Sequence, residues 1–135
     1  MKLLFSLTIF FVTLAFSYKD IDNTELEQLV SNEGAIIIDV RLEDEWKDTG
    51  IIQNSIPLTY FDKSFKPMMN EFLNGANKAT HGDKLKPIVV VCRTGQRSVI
   101  ASQALDKTGY KNVYNLKYGI YGWRSDNKKL VKYAK

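Results

Sequence analysis

Four short aliphatic runs punctuate the chain: AIIIDV (35–40), SIPL (55–58), PIVVVC (87–92) and NVYNL (112–116). AIIIDV and PIVVVC are continuously apolar and rich in β-branched residues, the pattern of strands buried on both faces. Pro57 limits SIPL to a short strand. Between the runs, apolar residues recur at helical spacing. IDNTELEQLVSNEG (21–34) places Leu26, Leu29 and Val30 on one face, sets Asp22 three residues before Glu25, and stops at Gly34. RLEDEWKDTG (41–50) predicts a short helix ending at Gly50. YFDKSFKPMMNEFLNGANKA (60–79) carries Phe61, Phe65, Met68, Met69, Phe72 and Leu73 near helical spacing, with Pro67 as a break or a start. RSVIASQALDKTGY (97–110) is amphipathic, with Val99, Ile100, Ala104 and Leu105, and is stopped by Gly109. YGIYGWRSDNKKLVKYAK (118–135) predicts a loop and a terminal helix. Buried strands alternating with helices predict an α/β fold, a parallel sheet with helices on both faces. Ligands of such sheets sit beyond the carboxyl ends of the strands. Cys92 ends the most apolar strand and is therefore expected at the rim of a site rather than in the core.

The N-terminus has a different pattern. Lys2 precedes an apolar run from Leu3 to Phe16 broken only by Ser and Thr, and no acid appears before Asp20. A basic residue followed by a compact apolar run is the layout of a signal peptide. The run is shorter than the roughly 20 residues a spanning helix needs. Ala15 and Ser17 are small residues at the two positions a signal peptidase reads, so cleavage is expected before Tyr18. That assigns 1–17 as signal peptide and 18–135 as one domain, exported to a periplasmic or extracellular space. An uncleaved N-terminal membrane anchor is the alternative, and after cleavage no stable membrane association is expected. Removing 17 of the 135 residues leaves 118, enough to bury a core without disulfides.

Composition changes this picture little. A hydrophobic content of 44% and a charged content of 25% are ordinary for a globular domain. The net charge of +4 is a mild excess carried by scattered lysines, with a weak cluster at Lys128, Lys129, Lys132 and Lys135. It accompanies no nucleic-acid-binding motif, so no nucleic-acid partner is expected. One histidine and one cysteine are too few for a zinc site, so no metal is expected. His81, in the polar stretch THGDKLKP, reads as a solvated turn rather than a catalytic base.

The single cysteine carries the chemistry. Exported proteins usually pair their cysteines, and an odd one is reactive or intermolecular unless it is buried and inert. Here CRTGQRS (92–98) runs from a strand end into a helix start. Gly95 permits a close or left-handed backbone, and the loop amides at a helix N-terminus form a nest for negative charge. Thr94 and Ser98 add hydroxyl donors, and Arg93 and Arg97 add positive charge. Each feature favours thiolate over thiol.

CRTGQRS resembles the active-site loop of rhodanese-type sulfurtransferases, which have Cys, four residues, then Arg and often Ser. IIIDVRLEDEW (36–46) is similar to the family's Asp-Val-Arg segment, and YGIYGW (118–123) to its late Gly-Ile-x-Gly-Trp segment. The three occur in the family's order across nearly the whole mature chain. The resemblance implies a three-layer fold with a five-stranded parallel sheet. It implies that Cys92 takes a sulfane sulfur from a small anion such as thiosulfate or polysulfide, and that the persulfide passes it to cyanide or a thiol, with no cofactor. Arg93, Thr94, Gly95, Gln96, Arg97 and Ser98 match the substrate-binding loop. Asp39 and Arg41 match a structural pair beside it. Glu45, Trp46, Gly119, Gly122 and Trp123 match folding positions, and the pocket walls are expected after Gly95 and from YGIYGW. The family's Gly-His-Ile segment is GIIQNSIPL (50–58) here, with Ile51 in the histidine's place. Phosphatases of related fold put five residues between Cys and Arg. This loop has four, which suits one sulfur better than a phosphate. A persulfide carrier or sensor, a binding module without turnover, and less readily a phosphatase or arsenate reductase are the other functions such a loop allows.

Overall fold

A computed structural model describes residues 8–12 and 16–135, so the expected export segment (1–17) lies partly outside the described residues. Five strands and five helices follow in the order β1 (Lys19–Ile21), α1 (Asn23–Glu33), β2 (Ile36–Asp39), α2 (Glu43–Thr49), β3 (Ile56–Pro57), α3 (Met69–Ala79), β4 (Ile88–Val91), α4 (Gln96–Lys107), β5 (Val113–Leu116) and α5 (Gly119–Ser125). The strands form one parallel sheet in the order β1-β5-β4-β2-β3. This is the expected α/β fold with helices on both faces. Along β4, Ile88 and Val90 point to a core that holds Phe72 of α3 and Ala101, Ala104 and Leu105 of α4. Val89 and Val91 point the other way, to Leu26 of α1 and Ile120 and Trp123 of α5. All four β4 side chains are fully buried, each a stabilisation of about 1.5–3 kcal/mol.

Local signals act as their chemistry predicts at the ends of α1. The Asp22 carboxylate accepts the Glu25 N–H at 2.8 Å, and Gly34 closes the helix in the left-handed conformation at φ 64°. Pro57 lies on β3, an edge strand, where its missing N–H leaves no partner unpaired.

The five strands are those the resemblance implies, and four readings made from the pattern alone are corrected. The aliphatic runs predict four strands from pattern alone. The fifth, β1, has only Ile21 buried and exists because its backbone pairs with β5. Pro67 limits the third helix to Met69–Ala79, and the preceding segment folds back in a bridge between Phe61 and Pro67 that leaves Phe65 exposed. Val30 and Ile100, expected on buried helix faces, are also exposed. The expected terminal helix stops at Ser125. The chain turns through Asn127 (φ 53°) and runs back to α2, where Ile51 and Val131 exchange N–H···O bonds of 2.9 and 2.8 Å. The Val131 N–H is thus met across the molecule instead of within a helix.

Candidate functional site

β4 delivers Cys92 to the carboxyl edge of the sheet, and the chain then turns through residues 93–95 into α4. Two donors converge on the sulfur. The Gly95 N–H points at Cys92 Sγ from 3.1 Å, and the Ser98 hydroxyl donates to it from 3.2 Å. Ser98 is fully buried on the first turns of α4. Both donors serve a sulfur that carries negative charge better than a neutral thiol.

The loop is held in this shape by two glycines. Gly95 has φ 97°, and a Cβ there would strike the carbonyl of Lys117. Gly119 has φ 55°, and its Cβ would strike the carbonyls of Cys92 and Arg93. Without those Cβ atoms, α5 comes up against the loop, and Ile120 and Tyr121 donate N–H bonds of 2.9 Å to the Cys92 and Arg93 carbonyls. Burial corrects the expectation that Cys92 lies out at the rim. It stands at the end of its strand, as expected, yet it is only 1% exposed and belongs to the core cluster that holds Val90, Tyr60 and Ala101.

The other expected site residues separate into groups. Gly95 and Ser98 meet the sulfur. Arg93, Thr94 and Gln96 are exposed, and the Thr94 and Gln96 side chains make no hydrogen bond among the described residues. Arg97 turns to α2, where its two terminal nitrogens each donate to a different Glu45 carboxylate oxygen at 2.7 Å. Leu42 N–H also donates to Glu45 at 3.0 Å. Burial pushes the Glu45 carboxyl up, but the bonds from Arg97 and Leu42 and the charges of Arg97 and Arg41 outweigh it and hold it below the usual carboxylate range. Arg97 is pushed up, chiefly by the Glu45 bonds, against the opposing effect of burial, with further support from the charges of Glu45, Cys92 and Asp39.

Asp39 and Arg41 form the expected pair, with both side chains 1% exposed and Nη2 2.8 Å from Oδ2. Asp39 also accepts from Trp46 Nε1 at 3.0 Å, and Arg41 donates to the Thr49 hydroxyl at 2.8 Å and the Gly50 carbonyl at 2.9 Å. A buried arginine with every donor group engaged acts as a clamp between the end of β2 and the end of α2. Beyond Gly50, Ile51 stands where the resemblance places a histidine, and its backbone is engaged by Val131 of the tail. Trp123 is the expected core anchor, with Nε1 donating to the Lys129 carbonyl at 3.1 Å. His81 sits in the turn before β4, at the opposite end of the strand from Cys92, and is exposed.

A cleft of about 170 Å³ opens beside the loop, between α2 and α5. Arg93, Ile120, Tyr121 and Arg124 form one side, and Glu45 and Asp48 are on the other. Arg41 is neutralised by Asp39 and Glu45 by Arg97, so Arg93, Arg124 and Asp48 carry the remaining charge. The contribution of α2 and of Arg124 is not visible in the loop motif. The only sequence signal for Glu45 is its place in the Asp-Val-Arg segment, which reads as structural.

A family model described as the rhodanese-like domain matches residues 22–126. The uncharacterized protein RC0915 of Rickettsia conorii is 32% identical over 111 residues, covering 75% of this chain and 86% of its own. A putative mitochondrial thiosulfate sulfurtransferase of Schizosaccharomyces pombe is 38% identical over 88 residues, covering 62% of this chain and 59% of its own. Among solved structures, the polysulfide-sulfur transferase homodimer of Wolinella succinogenes superimposes with a TM-score of 0.66 at 22% identity, covering 87% of this chain and 81% of that one.

Proposed function

The chain belongs to the rhodanese-like family, and from that premise we propose that it is an exported sulfurtransferase that carries sulfur as a Cys92 persulfide. The observation that carries this reading is the convergence of the Gly95 N–H and the Ser98 hydroxyl on one sulfur, 3.1 and 3.2 Å away. The thiosulfate and polysulfide chemistry named for the Schizosaccharomyces and Wolinella proteins supports the choice of substrates.

The transfer runs in two displacements. The Cys92 thiolate attacks the outer sulfur of thiosulfate or of a polysulfide. A sulfur–sulfur bond forms as the donor's own breaks, and sulfite or a shortened polysulfide leaves with the electron pair. The terminal persulfide sulfur then bears the negative charge that the loop donors favour. An acceptor thiolate or cyanide attacks that sulfur, and the Cys92 thiolate is released. The two half-reactions predict ping-pong kinetics. Arg93 and Arg124 give the cleft the positive charge a small sulfur anion requires.

The test is intact mass after treatment with thiosulfate or polysulfide. The wild type should gain about 32 Da, one sulfur, and lose it on addition of cyanide, and Cys92→Ser should gain nothing. No gain in the wild type, or an equal gain in the variant, overturns the proposal. A mass gain without steady-state turnover identifies a sulfur carrier instead of a catalyst.

A further inference from the structure

We infer that the export segment is removed by hydrolysis of the Ser17–Tyr18 bond and that Asp106 receives the new α-ammonium group of Tyr18, an inference that rests on the export reading above. Among the described residues, Phe16 and Ser17 touch only the end of α4, at Lys107 and Asp106, and packing against the core begins after this bond. Ile9, Phe10, Phe11 and Val12 are 68%, 88%, 86% and 81% exposed, so the described part of the apolar run takes no place in the core. Tyr18, in contrast, packs against the core cluster that holds Phe72 and Leu105, and β1 starts at the next residue. A cut further along would take an anchoring side chain or an edge strand from the domain. Ala15 and Ser17 supply the small residues that mark this bond for a signal peptidase.

Asp106 is already placed to meet the product. Its Oδ2 accepts N–H bonds from Ser17 at 2.9 Å and from Tyr18 at 2.8 Å, and its Oδ1 accepts the Ser17 hydroxyl at 3.2 Å. Hydrolysis adds one water across the peptide bond. Ser17 departs with the carboxylate, and the Tyr18 nitrogen keeps the bonding electron pair and takes up protons. The peptidase of the export machinery supplies the catalysis. Of the three donors to Asp106 only the Tyr18 nitrogen remains. It changes from an amide with one N–H to an ammonium with three, against the same carboxylate. An α-amine is cationic at neutral pH, with an ordinary pKa of about 7.7–8.0. Asp106 lies in the last turn of α4, where the helix dipole disfavours an acid. A cation held there removes that penalty, which the uncleaved amide cannot do.

The experiment exports the full chain, with its own N-terminus, from a secreting bacterial host as wild type and as Asp106→Asn. Intact mass and N-terminal sequencing then identify the first residue of each exported protein. Both should begin at Tyr18, because the peptidase acts before the domain folds. Circular dichroism establishes that both are folded. Amine-selective acylation near pH 7 should then label the Tyr18 α-amine of the wild type at least about threefold more slowly than that of the variant, because the carboxylate holds the amine protonated. Equal labelling rates overturn the role of Asp106 and leave the cleavage site standing. A different first residue, or a full-length chain in the membrane fraction, overturns the cleavage inference and leaves export standing. Full-length protein confined to the cytoplasm overturns the export reading itself.

Discussion

Glu45→Gln tests whether the pair between α2 and the loop sets the strength of the site. The substitution removes the charge and keeps the shape, and the amide oxygen can still accept from Leu42 N–H. What is lost is a bidentate pair with two bonds of 2.7 Å. Exposed pairs contribute about 0.2–1 kcal/mol, and breaking a fully buried pair costs about 3–5 kcal/mol. The Glu45 and Arg97 side chains keep 26% and 22% of their exposure, so the pair falls between these limits, at about 1–3 kcal/mol. For a chain of this size that is a fall in Tm of about 5–10 °C near pH 7. The sign of the pH dependence follows from the carboxyl being held below its usual range. The stability from Glu45 is fully present above the ordinary carboxyl value of about 4.3 and is lost as the pH falls through the depressed folded value. The difference in Tm between wild type and variant should therefore shrink as the pH is lowered from about 5 toward 2. Thermal denaturation followed by circular dichroism across that range measures it. A variant as stable as the wild type at pH 7, or a difference that does not change with pH, would refute the reasoning.

Ser98→Ala removes one of the two donors to the sulfur. It should lower kcat/KM for thiosulfate about tenfold, the equivalent of one charge-assisted hydrogen bond, while Tm changes little. A loss below twofold in steady-state assays would show that the hydroxyl does not act on the reacting sulfur. Gly95→Ala should disrupt the loop and abolish the mass gain with thiosulfate, because its Cβ meets the Lys117 carbonyl. Gly109→Ala is the control: its φ is 98° but no atom lies within 4 Å, so it should cost only about 1–2 kcal/mol of backbone strain and retain activity. Asp39→Asn leaves Arg41 buried without its counter-charge and should lower the urea unfolding free energy by about 3–5 kcal/mol.

Much of this architecture is legible in the chain because its signals are local and strong. PIVVVC and AIIIDV have too few polar positions to face water, so they become β4 and β2 whatever surrounds them. Asp22 and Gly34 end α1 through their own side-chain and backbone chemistry. β1 is not legible, since Lys19–Ile21 has no apolar pattern and is a strand only by pairing with β5. The tail from Asn127 to Lys135 is illegible for a similar reason. Its helical composition is overridden by backbone bonds to Ile51 and by Tyr133 packing 5.4 Å from Trp46.

The site divides along the same line. Sequence alone determined that Cys92 ends a buried strand, that Gly95 follows three residues later, and that Ser98 lies near the start of the next helix. Those spacings place two donors around one sulfur because strand, turn and helix geometry are local. Only the tertiary structure decided that Arg97 is bound to Glu45, 52 residues away, that α5 amides hold the backbone carbonyls of Cys92 and Arg93, and that Arg124 joins Arg93 at the cleft. An ion pair or a hydrogen bond between distant segments depends on how the helices pack against the sheet, and no periodicity along the chain records that distance.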